Sequence, residues 1–553
     1  MAKDRSLCRP QEADKFRTIR PKNWKFYGVR FQFSRCILRC RTSGAGSASL
    51  SLEEYRRRKL NSVPPVHLHL GHEQRVSGSG GSHAHLHPVN LVEQARIPLA
   101  GPAEVAEAVE RAQAAQEGWR RTSPEARRDI LNRLADLIEA NKAEFARMGA
   151  LDGGTPLGMG EVLVDVATSW TRYYAGWCDK LTGELMSTFD TRAQFSYTVP
   201  EPIGIVGIII TWNGPLGSLA MKVCAALAAG NCVICKPAEI TPFAPELFAQ
   251  LCKRAGVPDG VLSIFPGTGA AGEAIVRHKK VQKISFTGGP ITARRILAAC
   301  AEEIKPSVME LGGKSANLVF PDCNLQGAAE GAAFSTIGIL AGQGCALPTR
   351  QLVHADVYDE FVEKLKAVIA SFKVGDPLEP GVMVGPVINT AAVHRILGMF
   401  DRARADKAGT FVLGGGRCGG ELAQGNFIEP TIIVDADPDH EISQVEIFGP
   451  AIVVMKFDDE DEAVAIANNS EYGLASYIQS NDLQRVHRIA ERLHAGGVYI
   501  NGGFAMRPYA PFGGIGISGF GKEGGKAGID EFLHYKTVSI GTGTGGGRYF
   551  KFE

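Results

Sequence analysis

The 553-residue sequence predicts an α/β protein built on two parallel-sheet units. Three observations carry that expectation. Between Ile203 and Ile304, short apolar runs alternate with helix-period segments, the pattern of a parallel sheet covered on both faces. A second alternation of the same kind begins near Val308. The loops TWNGP, KPAE, FPGTG and FTGG fall at the carboxyl ends of the first set of strands, where ligands of such sheets bind.

In chain order, the first predicted elements are helices. AEVAEAVERAQAAQEGW and PEARRDILNRLADLIEANKAEFARMGALD place apolar residues three and four apart. The polar, alternating GELMSTFDTRAQFSYTVPEP reads as a pair of strands. IGIVGIIIT, NCVICKP, VLSIFPG and VQKISFTGG read as buried strands, and the segment after each reads as a helix. In the second block SANLVF, TRQLVHA, TIIVDA, AIVVMKF, LASYIQS and GGVYIN are strands. DEFVEKLKAVIASF, DEAVAIANN and LQRVHRIAERLHAG are helices, and FLHYKTVSIG is an edge strand.

Residues 1–88 read differently, as an irregular and disordered leader. Residues 1–60 carry sixteen Lys/Arg against five Asp/Glu, while the remainder carries forty-four against fifty-four. The body is therefore mildly acidic, without the basic footprint of a nucleic-acid binder. Six of the thirteen histidines lie between His67 and His87. They read as compositional bias, and no metal site is expected. An Arg-rich leader fits organelle import, but Asp4, Glu12 and Asp14 oppose it, so a cytoplasmic protein is expected. No run of 18 apolar residues suggests a membrane span. The twelve cysteines follow no framework spacing, which points to free thiols in a reducing compartment. Cys232 and Cys235 form a CxxC within a predicted buried strand, so a redox role is not expected.

Three residues suggest chemistry. Cys345 lies in LAGQGCALPTR, where glycine and alanine replace the bulky neighbours of a core cysteine. Glu310 ends a strand before the Gly-Gly turn of MELGGKS, and Asn213 follows a strand in TWNGP. A thiol, a carboxylate and an amide donor at sheet ends are the parts of covalent catalysis on a carbonyl. Two loops compete to bind a phosphate: the GxGxxG at Gly267–Gly272, which lacks the acid expected about twenty residues on, and FTGG at 286–289.

Together these motifs resemble the NAD(P)-dependent aldehyde dehydrogenase superfamily over about residues 90–540. The resemblance rests on TWNGPLGSLAMKVCAALAAGNCVICKPAE, FTGG, MELGGKS, GQGC with Arg350 five residues on, EIFGP and PFGGIGISGFGKE. It implies a Rossmann-type cofactor domain at 89–310 with a hairpin arm near 183–200. It also implies a second α/β catalytic domain at 311–500 and a C-terminal segment, 501–553, with an oligomerisation strand. Cys345 would be the nucleophile and Glu310 the base that activates water. Asn213 and the Cys345 N–H would form the oxyanion hole. Trp212, Lys236, Glu239, Gly288, Gly289, Glu446 and Phe448 would bind the cofactor. Glu523 would relay protons. Gly214, Ser218, Met221, Phe504 and Met506 would line a roomy, apolar substrate pocket, with Arg507 nearby. The implied reaction is oxidation of a small aldehyde to the acid through a thioester hydrolysed by Glu-activated water. Acyl transfer to coenzyme A and thiol-esterase activity are the alternatives. Glu239 favours NAD over NADP, and the family implies a homodimer or homotetramer. The chain departs from the family at IGILAGQGC, where an aromatic residue and Asn are common, and at Gly289, where Ser is frequent.

Overall fold

A computed structural model describes residues 63–186, 194–502 and 506–541, and two short strands, Lys25–Phe26 and Val29–Arg30. Residues 1–55 and 56–553 form two separate units. In the first, the two short strands pair antiparallel, with Lys25 opposite Arg30. All further description concerns the second.

Its larger sheet has eight strands. Five are parallel: β1 (Ile205–Ile209), β2 (Cys232–Lys236), β3 (Leu262–Ile264), β4 (Lys283–Thr287) and β5 (Ser307–Glu310). Their spatial order is β5-β4-β1-β2-β3. The strand order therefore reverses between β1 and β4, which opens a crevice at their carboxyl ends. β1 is buried along its whole length, as a strand covered on both faces must be. Gly207 in β1 leaves room for Ile275 of the helix Gly269–Arg277, because a Cβ there would collide with that side chain.

The second sheet has seven strands. Six are parallel: β6 (Ala316–Val319), β7 (Arg350–His354), β8 (Thr431–Val434), β9 (Ala451–Phe457), β10 (Ala475–Gln479) and β11 (Gly497–Ile500). Only Glu310 to Ala316 separates β5 from β6, so the first sheet's carboxyl end runs straight into the second sheet's amino end. Each sheet has its own apolar core, and Met506 and Phe512 pack against the first core and also against the small cluster around Ala346 and Tyr477.

The N-terminal boundary expected at residue 88 is corrected. Leu68–Leu70 joins the first sheet as an antiparallel neighbour of β3, and Ser82–Leu86 pairs with Glu93–Pro98. Leu68 and Leu70 are fully buried, and His69, His85 and His87 are buried beside them. Histidine looks polar in a sequence, but its neutral ring can be buried when a partner meets its nitrogens.

The predicted helix over Pro124–Asp152 is two helices, Pro124–Ala140 and Lys142–Gly153. The sequence reading did not anticipate the helices Leu157–Ala175 and Thr390–Ala405 or the strand Thr410–Leu413. In the polar segment after Gly183, the strand Gln194–Pro202 pairs antiparallel with the C-terminal strand Leu533–Gly541, and its Tyr197 also lies antiparallel to Leu185, as the expected hairpin requires. The remainder of the expected hairpin, 187–193, lies outside the described residues, as does Phe504. Among the described residues no helix is long and apolar enough to cross a membrane. The nine described cysteines, Cys232 and Cys235 included, are free.

Candidate active site

Two sheets meeting end to end explain how distant residues converge. Asn213 follows β1 and Glu310 ends β5, both at carboxyl ends of the first sheet. Cys345 precedes β7, and Glu446 and Phe448 precede β9, both at amino ends of the second sheet.

Glycines let these loops interlock. A Cβ at Gly313 would collide with the Cys345 carbonyl oxygen, and one at Gly312 with the Glu446 carboxylate. The Gly313 N–H donates to Glu446 Oε1 at 3.0 Å. A Cβ at Gly342 would collide with the Gly449 carbonyl of EIFGP, and Gly342 has φ +76°. Leu340 and Ala341, just before it, also have left-handed backbone, at φ +53° and +52°. Such conformations cost roughly 1–3 kcal/mol each in non-glycine residues and gather at functional sites. Phe448, at φ +48°, is a further case, and its ring meets Trp212 edge-on at 5.3 Å.

The Asn213 amide donates from Nδ2 to the Gln343 carbonyl at 2.9 Å. A primary amide has two N–H groups, so this bond orients the side chain and leaves one donor over. Tyr477 Oη donates to the Ala346 carbonyl at 2.5 Å and fixes the chain just after the thiol. Cys345 itself is half-buried and, like Tyr499, Met506 and Phe512, packs against the cluster of Ala346, Leu474, Ala475 and Tyr477. Of the predicted pocket residues, Met506 shares this cluster with Cys345. Met221 is buried in the first core, and Gly214 faces open space. Ser218 is half-buried one turn after Gly214 and donates its N–H to that residue's carbonyl at 2.9 Å. Tyr499 and Phe512 were not anticipated. Their signal was an aromatic beside glycines in GGVYINGG and PFGG.

Burial, and then the carboxylates of Glu446 and Glu310, push the Cys345 thiol up to about 12. Glu310 is 4% exposed, and neither carboxyl oxygen has a hydrogen-bond partner among the described residues. Burial, and then the charge of Glu523, raise it well above the carboxylate range, with Lys222 and Lys522 opposing. Burial also raises Glu446 to about 7, opposed chiefly by the Gly313 N–H. In this state the site therefore holds its protons.

Lys222 is the residue the sequence reading missed. It is 1% exposed, donates to Ser285 Oγ at 2.9 Å, and forms an ion pair with Glu523. Its signal was a lone lysine inside the apolar LAMKVCAALAA. It lies in a π-helical turn, Leu219–Val223, and a second such turn, Phe334–Gly338, leads to the thiol loop. Arg350 is structural: its guanidinium donates to the carbonyls of Lys314, Ile466 and Ala467.

The crevice suits a dinucleotide. Gly289 caps the 13-residue helix Pro290–Glu302 without a side-chain hydrogen bond, and nothing lies within 4 Å of where its Cβ would point. The helix's first N–H groups and the positive end of its dipole therefore remain available to an anion. The Gly288 N–H donates to the Glu310 carbonyl at 3.1 Å, which ties this turn to β5. FTGG follows β4 at the reversal point, whereas the Gly267 motif follows β3, two strands away from β1. Strand order thus sets FTGG, and not the Gly267 turn, beside the crevice. Lys236, 8% exposed at the end of β2, donates to the Gly267 carbonyl at 2.5 Å and stands 3.8 Å from Glu239.

The sequence profile of the aldehyde dehydrogenase family matches residues 76–538. An aldehyde dehydrogenase of Emericella nidulans is 38% identical over 479 residues, which cover 86% of this chain and 95% of that protein. The NAD+ complex of an aldehyde dehydrogenase from Bacillus cereus superposes with a TM-score of 0.84 at 34% identity, covering 90% of this chain and 100% of that one. An NADP-dependent enzyme of Escherichia coli superposes with a TM-score of 0.83 at 34% identity, covering 87% and 98%.

Proposed function

The chain belongs to the aldehyde dehydrogenase family of oxidoreductases, and from that premise we propose that it oxidises a small aldehyde to the free carboxylic acid with NAD. The observation that supports this reading is that Asn213 bonds the Gln343 carbonyl two residues before the half-buried Cys345, whose thiol also feels the Glu310 carboxylate.

Cys345 gives its proton to solvent, and the thiolate sulfur bonds to the aldehyde carbon. The carbonyl π pair moves to oxygen, where the free Asn213 N–H and the Cys345 N–H stabilise it. Losing one such donor typically costs about 2.7–4 kcal/mol of barrier. NAD, when bound, supplies the acceptor for the hydride that leaves the adduct carbon, and a thioester on Cys345 remains. Glu310, in its ionised form, takes a proton from water. The resulting hydroxide adds to the thioester carbon, and the C–S bond breaks to give the acid and the Cys345 thiolate, which takes a proton back from solvent. Glu523, paired with Lys222 and acting on Glu310 through its charge, carries the proton taken by Glu310 onward.

Glu239 and Lys236 would hold the adenosine ribose hydroxyls, and Gly288 and Gly289 the pyrophosphate. Glu446, Phe448 and Trp212 would hold the nicotinamide half. A carboxylate at 239 repels a 2′-phosphate, which supports NAD over NADP. Met221, Met506, Gly214 and Ser218 would admit an apolar substrate. The half of the chain built on the eight-stranded sheet would bind the cofactor, and 311–500 would carry the thiol. Exposed Phe195, Tyr535 and Ile540 on the paired strands, with exposed Leu185 opposite Tyr197, support assembly into a homodimer or homotetramer. Free thiols throughout the described residues support a cytoplasmic setting.

The test is NADH production from an aldehyde panel, with the acid product identified in the presence and absence of coenzyme A. Cys345→Ala is expected to abolish turnover while NADH still binds. Glu310→Gln is expected to slow release of the acyl group. Full turnover in Cys345→Ala, or an acyl-coenzyme A product, would overturn the proposal.

A further inference from the structure

Outside this site, two histidines and a carboxylate converge. His69 lies in the strand Leu68–Leu70 and His67 immediately precedes it, and both rings meet the same carboxylate. Glu246 lies in the first turn of the helix Phe243–Ala255. His67 Nδ1 is 2.9 Å from Glu246 Oε1, and His69 Nε2 is 2.9 Å from Glu246 Oε2. One ligand atom from each residue falls within 4.8 Å of the others. His69 and Glu246 are 5% and 3% exposed, while the His67 ring keeps an accessible edge.

We propose that His67, His69 and Glu246 bind one divalent transition cation of the zinc class, with water as a fourth ligand. Two imidazole nitrogens and one carboxylate oxygen form a donor set that zinc accepts in tetrahedral geometry. Calcium and magnesium favour all-oxygen shells, which this trio does not offer. The carboxylate is already oriented by outer donors: Gln250 Nε2 to Oε1 at 2.7 Å and the His67 backbone N–H to Oε2 at 2.8 Å. Such outer bonds hold a ligating carboxylate in place. The bound cation would cross-link the strand Leu68–Leu70 to a helix that begins shortly after Lys236 and Glu239. Its role is therefore to stiffen the cofactor unit rather than to act on the aldehyde. Two of the six histidines that read as compositional bias, His67 and His69, become ligands.

The competing arrangement is a metal-free clasp in which each ring donates an N–H to Glu246. Full-length protein, stripped with a chelator and titrated with Co2+, separates the two. The expected result is one Co2+ per chain with the visible bands of a tetrahedral nitrogen–oxygen site, and a higher unfolding temperature. Both are expected to disappear in Glu246→Gln and in His67→Gln, the latter a change at a partly exposed ring. Absence of binding in the unmodified chain, binding unaltered in the variants, or thiolate charge-transfer bands would overturn the proposal in favour of the clasp.

Discussion

At the scale of single residues, burial sets the chemistry. Glu446 touches solvent, yet burial still outweighs the Gly313 N–H and the charges of Lys314 and Arg395, and raises it to about 7. The folded state holds that proton more tightly than the unfolded chain does. Its contribution to stability is full below the ordinary carboxylate range, about pH 4.5, and is lost as pH rises through about 7. The unfolding temperature of the unliganded protein is therefore expected to fall between about pH 5 and about pH 8. Glu446→Gln should flatten part of that fall, because the amide cannot ionise. Equal pH slopes in the two proteins would contradict the assignment. Cys345 and Glu310 are shifted the same way, towards their protonated forms, so an idle site is not left with an exposed thiolate.

At the scale of elements, the site depends on loops that cannot be moved independently. Leu340, Ala341 and Gly342 turn the chain through three left-handed residues, and Gly342 abuts the Gly449 carbonyl. Gly342→Ala is expected to add about 1–3 kcal/mol of backbone strain and to push the thiol loop away from EIFGP. Because a displacement of about 1 Å can cost roughly 10²-fold in rate, kcat should fall much more than stability. Parallel measurement of kcat and unfolding temperature checks this. A variant with lowered stability and unchanged kcat would show that the loop does not position the sulfur.

At the scale of the whole molecule, every residue of the site lies within 56–553. Removal of residues 1–55 is expected to leave kcat and the unfolding temperature unchanged, and a loss of activity in that truncation would give the segment a role. Local pattern alone determined the alternation of strands and helices, because burial on both faces demands unbroken apolar runs in VGIII and NCVIC. It also singled out Cys345, Glu310 and Asn213 as candidates for chemistry, since each departs from its surroundings. It could not place the body's beginning, because HLHLGH looks polar until Glu246, 177 residues beyond His69, meets its rings. Nor could it find Lys222, or reveal that burial shifts the sulfur and the base together towards their protonated forms. Those outcomes depend on strand order and on which charges share one poorly solvated space. Both are set by contacts between distant parts of the chain, and only the tertiary structure decided them.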